Sequence, residues 1–308
     1  MKNQTKLNEI WAKQATFYEY GSAANPKMPK IDVVPFEAEL HENCIESKVT
    51  QLNLSDVLQT TYPATSPSLL ANFIHIKRKE SLLTKAHASS QIFYVISGKG
   101  KSELDDGEIY WKKGDYFAIP YCEKIVHYAE ERSTFYWVTD QPLMDYLDVR
   151  PSKKAFRPVY YSEESLTNEL LKVRKANEGK DKNRNGILLS NLDCPLTKTV
   201  THTQWSLYNV LPARSKQKAH RHNSIALDFV VKSGAGTYTL IGKDLDENGH
   251  IVNPIRADWK PGRVFVTPAG WWHSHHNESD DDAIVLPVQD AGLHTYLQTL
   301  DIQFSKGY

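Results

Sequence analysis

Three histidines constrain this chain more than any other feature. His220 and His222 flank Arg221, and His273 follows some fifty residues later inside the pattern Gly262, five residues, Pro268, one residue, Gly270, two residues, His273, three residues, Asn277. In an extended strand side chains alternate between faces, so residues two apart point the same way. His220 and His222 therefore project together, and Arg221 turns away. A third imidazole from a neighbouring strand completes a set of three neutral nitrogens on one side of a divalent first-row metal, with three positions left open on the other.

The rest of the chain sets the frame for that cluster. Its 308 residues suit two domains, and 40% apolar residues are enough for a real core. Lys plus Arg is 37 and Asp plus Glu is 37; this balance offers no electrostatic footprint for nucleic acid or an anionic membrane. No apolar run reaches the length of a membrane span. The opening MKNQTKLNEIWAK has no apolar h-region, and the three scattered cysteines, Cys44, Cys122 and Cys194, read as free thiols. Both features lead to the expectation of a cytoplasmic protein. An aromatic content of 11% suits barrels whose interiors are filled by large rings.

Four stretches follow one another. Residues 1–60 read as an N-terminal arm with short helical pieces, broken at Asn25-Pro26 and Met28-Pro29. Residues 61–150 carry short runs rich in β-branched and aromatic residues, namely 69–76, 91–97 and 116–119, bounded by Ser97-Gly98, Asp105-Asp106-Gly107 and Lys113-Gly114-Asp115. Such spacing predicts an all-β barrel or sandwich. Residues 151–195 form a helical linker. Ser162 caps its helix, Glu163 and Glu164 sit in the first turn, Lys172, Arg174 and Lys175 in the last, and Leu166, Leu170 and Val173 mark one face. The stretch GKDKNRNG at 179–186 reads as an exposed loop. Residues 196–308 return to strand texture, with 226–231 and 237–241 joined through Ser233-Gly234-Ala235-Gly236, and with the histidine pair opening the first of these strands. Both β regions show an apolar strand, a Gly-x-Gly turn, and later a glycine before a proline, so the chain holds two copies of one β-barrel.

The second copy resembles the cupin superfamily, and within it the two-barrel aromatic-ring dioxygenases of the gentisate 1,2-dioxygenase-like family. His220-Arg221-His222 with Ala226-Leu227 and Phe229-Val230 looks like the first cupin motif, and the Gly262 to Asn277 pattern fits the second at every spaced position. The resemblance implies an all-β fold of two jelly-roll (double-stranded β-helix) barrels, with Fe(II) held by His220, His222 and His273. It further implies a small-molecule aromatic substrate that reaches the metal together with O2, ring cleavage as the reaction, and a homo-oligomer. Many cupins carry a Glu ligand after the second histidine. Here Leu227 and Asp228 occupy that stretch, as befits a family that binds iron with three histidines alone. Asp228 lies an even number of residues beyond His222, so an unbroken strand turns it to the same interior, and a fourth carboxylate ligand is a minor alternative.

The resemblance also assigns roles around the metal. His275, two residues beyond His273, takes the acid/base or hydrogen-bonding position, against the plainer reading of a rim histidine. Trp205 stands where the family has a substrate-flanking Trp, although a buried Trp is more often plain core. Asn209 stands where a Gln is common. Asp228 stands where gentisate-type enzymes have an Arg for the substrate carboxylate. An Asp repels that group, so the expected substrate is a neutral or amine-bearing phenol or catechol. Arg214 and Arg256 are candidate carboxylate clamps or ordinary surface residues. Trp271 and Trp272 read as packing at the barrel mouth, His276 as solvated, Asn277 as a turn residue, and Asp280-Asp281-Asp282 as a loop tip. The first barrel is degenerate: Lys85, His87 and Gln91 stand at its motif positions and His127 arrives two residues late, so it reads as structural, with a weak site at His87 and His127 as the alternative. Two other functions stay open for the whole chain: a different metal-cupin enzyme (a non-ring dioxygenase or an isomerase), and a non-catalytic binding cupin.

Overall fold

The computed structural model describes residues 2–24, 26–178 and 185–306. Met1–Lys30 forms one compact unit, which carries helices Lys2–Ala12 and Tyr20–Ala23, and Ile31–Tyr308 forms the other.

In the larger unit, alternating side chains build three apolar layers from two large sheets and two smaller ones. One large sheet runs, in spatial order, Val159–Tyr161, Tyr116–Pro120, Ser90–Ser97, Ser133–Thr139, Leu70–Ile76 and Lys48–Gln51. The other runs Pro35–Phe36, Val264–Thr267, Ala226–Lys232, Ala283–Gln289, Trp205–Leu211 and Asn185–Leu189. Ala71, Phe73, Tyr94, Tyr136 and Val138 of the first meet Leu227, Phe229, Val266, Leu286 and Val288 of the second in a shared central layer. Tyr136 stacks on Phe229 there, with ring centroids 4.9 Å apart. Burying each of the Val, Leu and Phe side chains here contributes about 1.5–3 kcal/mol.

The opposite face of each large sheet closes over its own smaller sheet. In the first barrel Phe93, Val95, Phe117, Phe135 and Trp137 pack with Trp111 and Ile125. In the second, Leu211, Val230, Phe265 and Val285 pack with Ile241, Ala257 and Trp259. Strands buried on both faces read as continuous apolar runs, which is why Tyr116–Pro120 and much of Leu70–Ile76 read as apolar.

Several sequence expectations are corrected here. The arm is not wholly irregular, because Pro35–Phe36 and Lys48–Gln51 each join the edge of a large sheet. The linker holds the expected helix, Glu163–Asn177, with the Ser162 side chain accepting from the Ser165 N–H. It also supplies edge strands, Val159–Tyr161 to the first barrel and Asn185–Leu189 to the second. Of the exposed-loop reading of 179–186, residues 179–184 lie outside the described residues, and Asn185-Gly186 belong to a strand. The histidine pair does not open strand Ala226–Lys232. His220–His222 is a separate short strand in a different sheet. Among the described residues, no helix is long and apolar enough to cross a membrane. All three cysteines are free and buried.

Candidate metal centre

The smaller sheet of the second barrel brings the three histidines together by register. Strand His220–His222 lies between Trp272–Asn277 and Ile302–Phe304, and His220 pairs directly with His273. Directly opposed residues of an antiparallel pair place their side chains on one face, so His273 joins the two histidines already sharing a face by alternation. One potential ligand atom from each of His220, His222 and His273 lies within 4.8 Å of the others, and all three residues are buried. Ring centroids are 4.0 Å apart for His220 and His273 and 4.9 Å for His222 and His273. The glycines of the second motif serve this geometry. Gly270, at φ +77°, donates its N–H to the His222 carbonyl at 2.7 Å, which ties the motif loop to the ligand strand.

Each of the three imidazoles has Nδ1 against a backbone carbonyl: His220 on Lys218 at 3.3 Å, His222 on Ser224 at 2.8 Å, and His273 on Trp271 at 3.1 Å. A carbonyl oxygen only accepts, so Nδ1 carries the proton in the neutral ring, and the lone pair sits on Nε2. Hydrogen bonds of this kind orient metal-bound histidines and set their tautomer. The donor set thus fits a divalent first-row metal held through three Nε2 atoms.

His275 stands beside the trio, its ring centroid 5.8 Å from that of His273 and 6.0 Å from that of His220. Its Nδ1 meets Thr239 Oγ1 at 2.8 Å, and the same hydroxyl accepts the Trp259 indole N–H at 2.8 Å. The first barrel repeats this arrangement: Ser102 Oγ lies 2.7 Å from His127 Nδ1 and accepts the Trp111 indole N–H at 2.8 Å. His127 is therefore the counterpart of His275, not a displaced copy of His273, whose place is taken by the buried Ile125. Sequence reading missed the Trp–hydroxyl–His unit. Its signal was present, because Trp111 precedes His127 by the same sixteen residues that separate Trp259 from His275.

Register also locates the other predicted site residues. Strand Trp205–Leu211 sends Tyr208 and Val210 to the central layer and Leu211 to the barrel interior, so Trp205 and Asn209 face the interior by alternation. Trp205 pairs with Gln289, whose Oε1 accepts from Ser224, the hydroxyl beside His222. Asn209 leans over its edge-strand partner Gly186, where a Cβ would overlap the amide oxygen. Asp228 shares the inward face with Val230 and is buried, with Thr267 Oγ1 donating to its Oδ2 at 2.6 Å. It faces inward through the alternation of its own strand, since the strand expected to link it to His222 is interrupted.

Neither candidate carboxylate clamp is at the centre. Arg214 is exposed and paired with Asp280, while Arg256 lies 3.6 Å over the Tyr238 ring and pairs with Asp258. His276 stacks on Tyr238 at 4.9 Å on the outer face and is half-buried, not simply solvated. Asn277 is more than a turn residue. Its Nδ2 donates to the carbonyls of Leu211, Pro212 and Asp281, and its Oδ1 accepts from Thr237 and Ser279.

In the first barrel Lys85 is exposed, His87 lies against Arg150, and His127 is held between Ser102 and Thr84. Among the described residues the His220, His222 and His273 trio is the one group of three or more potential ligand side chains brought together. Burial holds the His127 imidazole down at a pKa of about 3. Phe93 stacks on Phe117 and Trp137 at 4.7 and 5.8 Å and lies 5.6 Å from the His127 ring, so aromatic rings fill this barrel.

No protein-family model matches the chain. Over 109 residues it is 28% identical to a 5-aminosalicylate 1,2-dioxygenase from Comamonas sp, covering 35% of this chain and 26% of that protein. Over 133 residues it is 29% identical to gentisate 1,2 dioxygenase 1 of Aquipseudomonas alcaligenes, covering 42% of this chain and 33% of the relative. The matched stretch is thus about a third or less of either relative's length. The solved structure of a salicylate 1,2-dioxygenase from Pseudaminobacter salicylatoxidans aligns with a TM-score of 0.73 at 14% identity, over 98% of this chain and 97% of that one. Its adduct with gentisate aligns at 0.71 and 14%, over 99% and 94%. The likeness to these structures shows a shared fold of two all-β barrels, and the histidine trio of this chain lies in the second. Over the matched stretches the sequence is similar to 1,2-dioxygenases named for gentisate and 5-aminosalicylate.

Proposed function

We propose that the protein is an Fe(II)-dependent dioxygenase that cleaves an aromatic ring, acting through the second barrel on a substrate different from those of its carboxylate-binding relatives. The observation that carries this reading is the trio His220, His222 and His273, buried together with Nδ1 of each turned to a backbone carbonyl, so that the lone pair of each neutral ring sits on Nε2. Iron bound there would activate O2 beside a chelated aromatic. His275, steadied by Thr239, holds or hands over a proton at its second ring nitrogen. Trp205 offers an indole face and N–H along the interior wall, and Asn209 stands further along the same strand. Asp228 gives the interior a carboxylate, which accepts hydrogen bonds from a substrate and disfavours an acid group.

The test is anaerobic reconstitution with Fe(II), followed by oxygen-electrode measurements with a panel of hydroxylated aromatics. O2 uptake with ring-opened product is expected, and silence across the panel counts against the reading. Asp228 gives a second metal-cupin reading its footing, a non-ring dioxygenase or an isomerase. Turnover that persists with Zn(II), or without O2, would favour the isomerase.

A further inference from the structure

Gln217 is absent from the motif, yet its backbone lies against the centre. Ser215 pairs with Asn277 and Lys216 with His276, and the Gln217 N–H donates to the His275 carbonyl at 2.9 Å. Gln217 is therefore the cross-strand neighbour of His275 and shares its inward face. Beyond this point Lys218 and Ala219 oppose the single residue Ser274 before His220 meets His273, a bulge that re-aims the chain next to the ligands. The Gln217 side chain is 6% exposed, and its Oε1 is buried with no hydrogen-bond partner. A buried amide oxygen without a partner calls for a physical reason, and a bound donor supplies one.

The surroundings point the same way. Asp228 adds an inward carboxylate, and Trp205 Nε1 is a buried indole donor without a partner on the facing sheet. The four arginines of the second barrel are all engaged elsewhere: Arg214 with Asp280, Arg221 with Gln303 and the Trp272 face, Arg256 with Asp258, and Arg263 with Glu37. None of these four guanidiniums is left to receive a ring carboxylate.

Building on the proposed dioxygenase reading, we propose that Gln217 contacts the substrate and sets its class. Its Oε1 accepts a hydrogen bond from a hydroxyl or amino group, and with Asp228 it selects a carboxylate-free ring with adjacent donors, such as a catechol or a 2-aminophenol. Chelation by the metal is common to many hydroxylated aromatics, whereas the donor match with Gln217 separates them. A site built to hydrogen-bond a substrate group discriminates strongly against an analogue that lacks it.

Anaerobic calorimetry of the Fe(II)-loaded protein with 2-aminophenol, catechol and salicylate tests this. The two donor rings should bind at least tenfold more tightly than salicylate. Gln217→Leu should weaken 2-aminophenol about tenfold and leave iron content and salicylate affinity unchanged, while Gln217→Glu, which keeps an acceptor, should restore most of the loss. Thermal melting checks that each variant folds. Salicylate binding as tightly as the donor rings, or Gln217→Leu binding 2-aminophenol like the parent, overturns the proposal and leaves the dioxygenase reading standing. If none of the three rings binds the iron-loaded protein, both fall together.

Discussion

The hydroxyl of Thr239 stands 2.8 Å from Nδ1 of His275 and so fixes which ring nitrogen of that histidine is held by the neighbouring strand. Because the same oxygen receives the Trp259 indole N–H, replacing it strands two buried polar groups at once. Thr239→Val keeps the volume and removes the hydroxyl. It should cost about 1–3 kcal/mol of unfolding free energy, the desolvation penalty of groups left unpaired. Thr239→Ser, the residue type that the first barrel uses at Ser102, should recover most of it. Urea unfolding of the three proteins measures this, and a Val variant as stable as the parent would refute the linkage.

His273→Ala leaves two imidazoles at the centre. Elemental analysis of purified protein should then find less than about a tenth of the parent's metal, since two isolated nitrogens hold a divalent ion far more weakly than three on one face. The fold should survive, because the barrel core of Leu211, Val230, Phe265 and Val285 does not depend on this ring. Parent-like metal content would place the ion elsewhere.

Acid should destabilise the first barrel through His127. Its folded-state pKa of about 3 lies below the ordinary histidine value near 6.5. The folded state therefore binds fewer protons than the unfolded chain between these values. The stability tied to the neutral ring is complete above about pH 6.5 and is lost as pH falls toward 3, at up to about 1.4 kcal/mol per pH unit. His127→Gln, which does not titrate, should show a shallower loss over pH 6.5 to 4. Identical slopes for the two proteins would mean that this ring does not govern the transition.

Asn277 joins the end of one strand to two turns through both ends of its amide. Asn277→Ala leaves those carbonyls and the Thr237 hydroxyl short of partners, and the expected loss is about 2–4 kcal/mol. Thermal unfolding of metal-free protein isolates this effect from metal binding. A change under half a kcal/mol would return Asn277 to the role of a simple turn residue.

Local patterns in the chain were legible where they depend on near neighbours. Alternation put His220 and His222 on one face, the capping signals at Ser162 and Glu163 marked the linker helix, and runs such as 69–76 announced strands. Edge strands were harder to see. Pro35–Phe36 is only two residues long and Asn185–Leu189 opens on Asn-Gly, and both become strands because a sheet edge supplies partners for their backbone groups. Gln217 was invisible for a related reason: nothing in Lys216-Gln217-Lys218 announces burial, and the side chain turns inward because its backbone pairs with His275.

The amino-acid order alone determined that there are two jelly-roll repeats and that three imidazoles are spaced to meet, because strand alternation and glycine-dependent turns act over a few residues. Only the tertiary structure decided what else faces the centre. It separated the histidine strand from the Asp228 strand into different sheets, engaged every arginine of the second barrel away from the interior, and set Gln217 beside His275. Such choices depend on pairing between segments distant in the chain, and the energy of that pairing is not carried by any one of them.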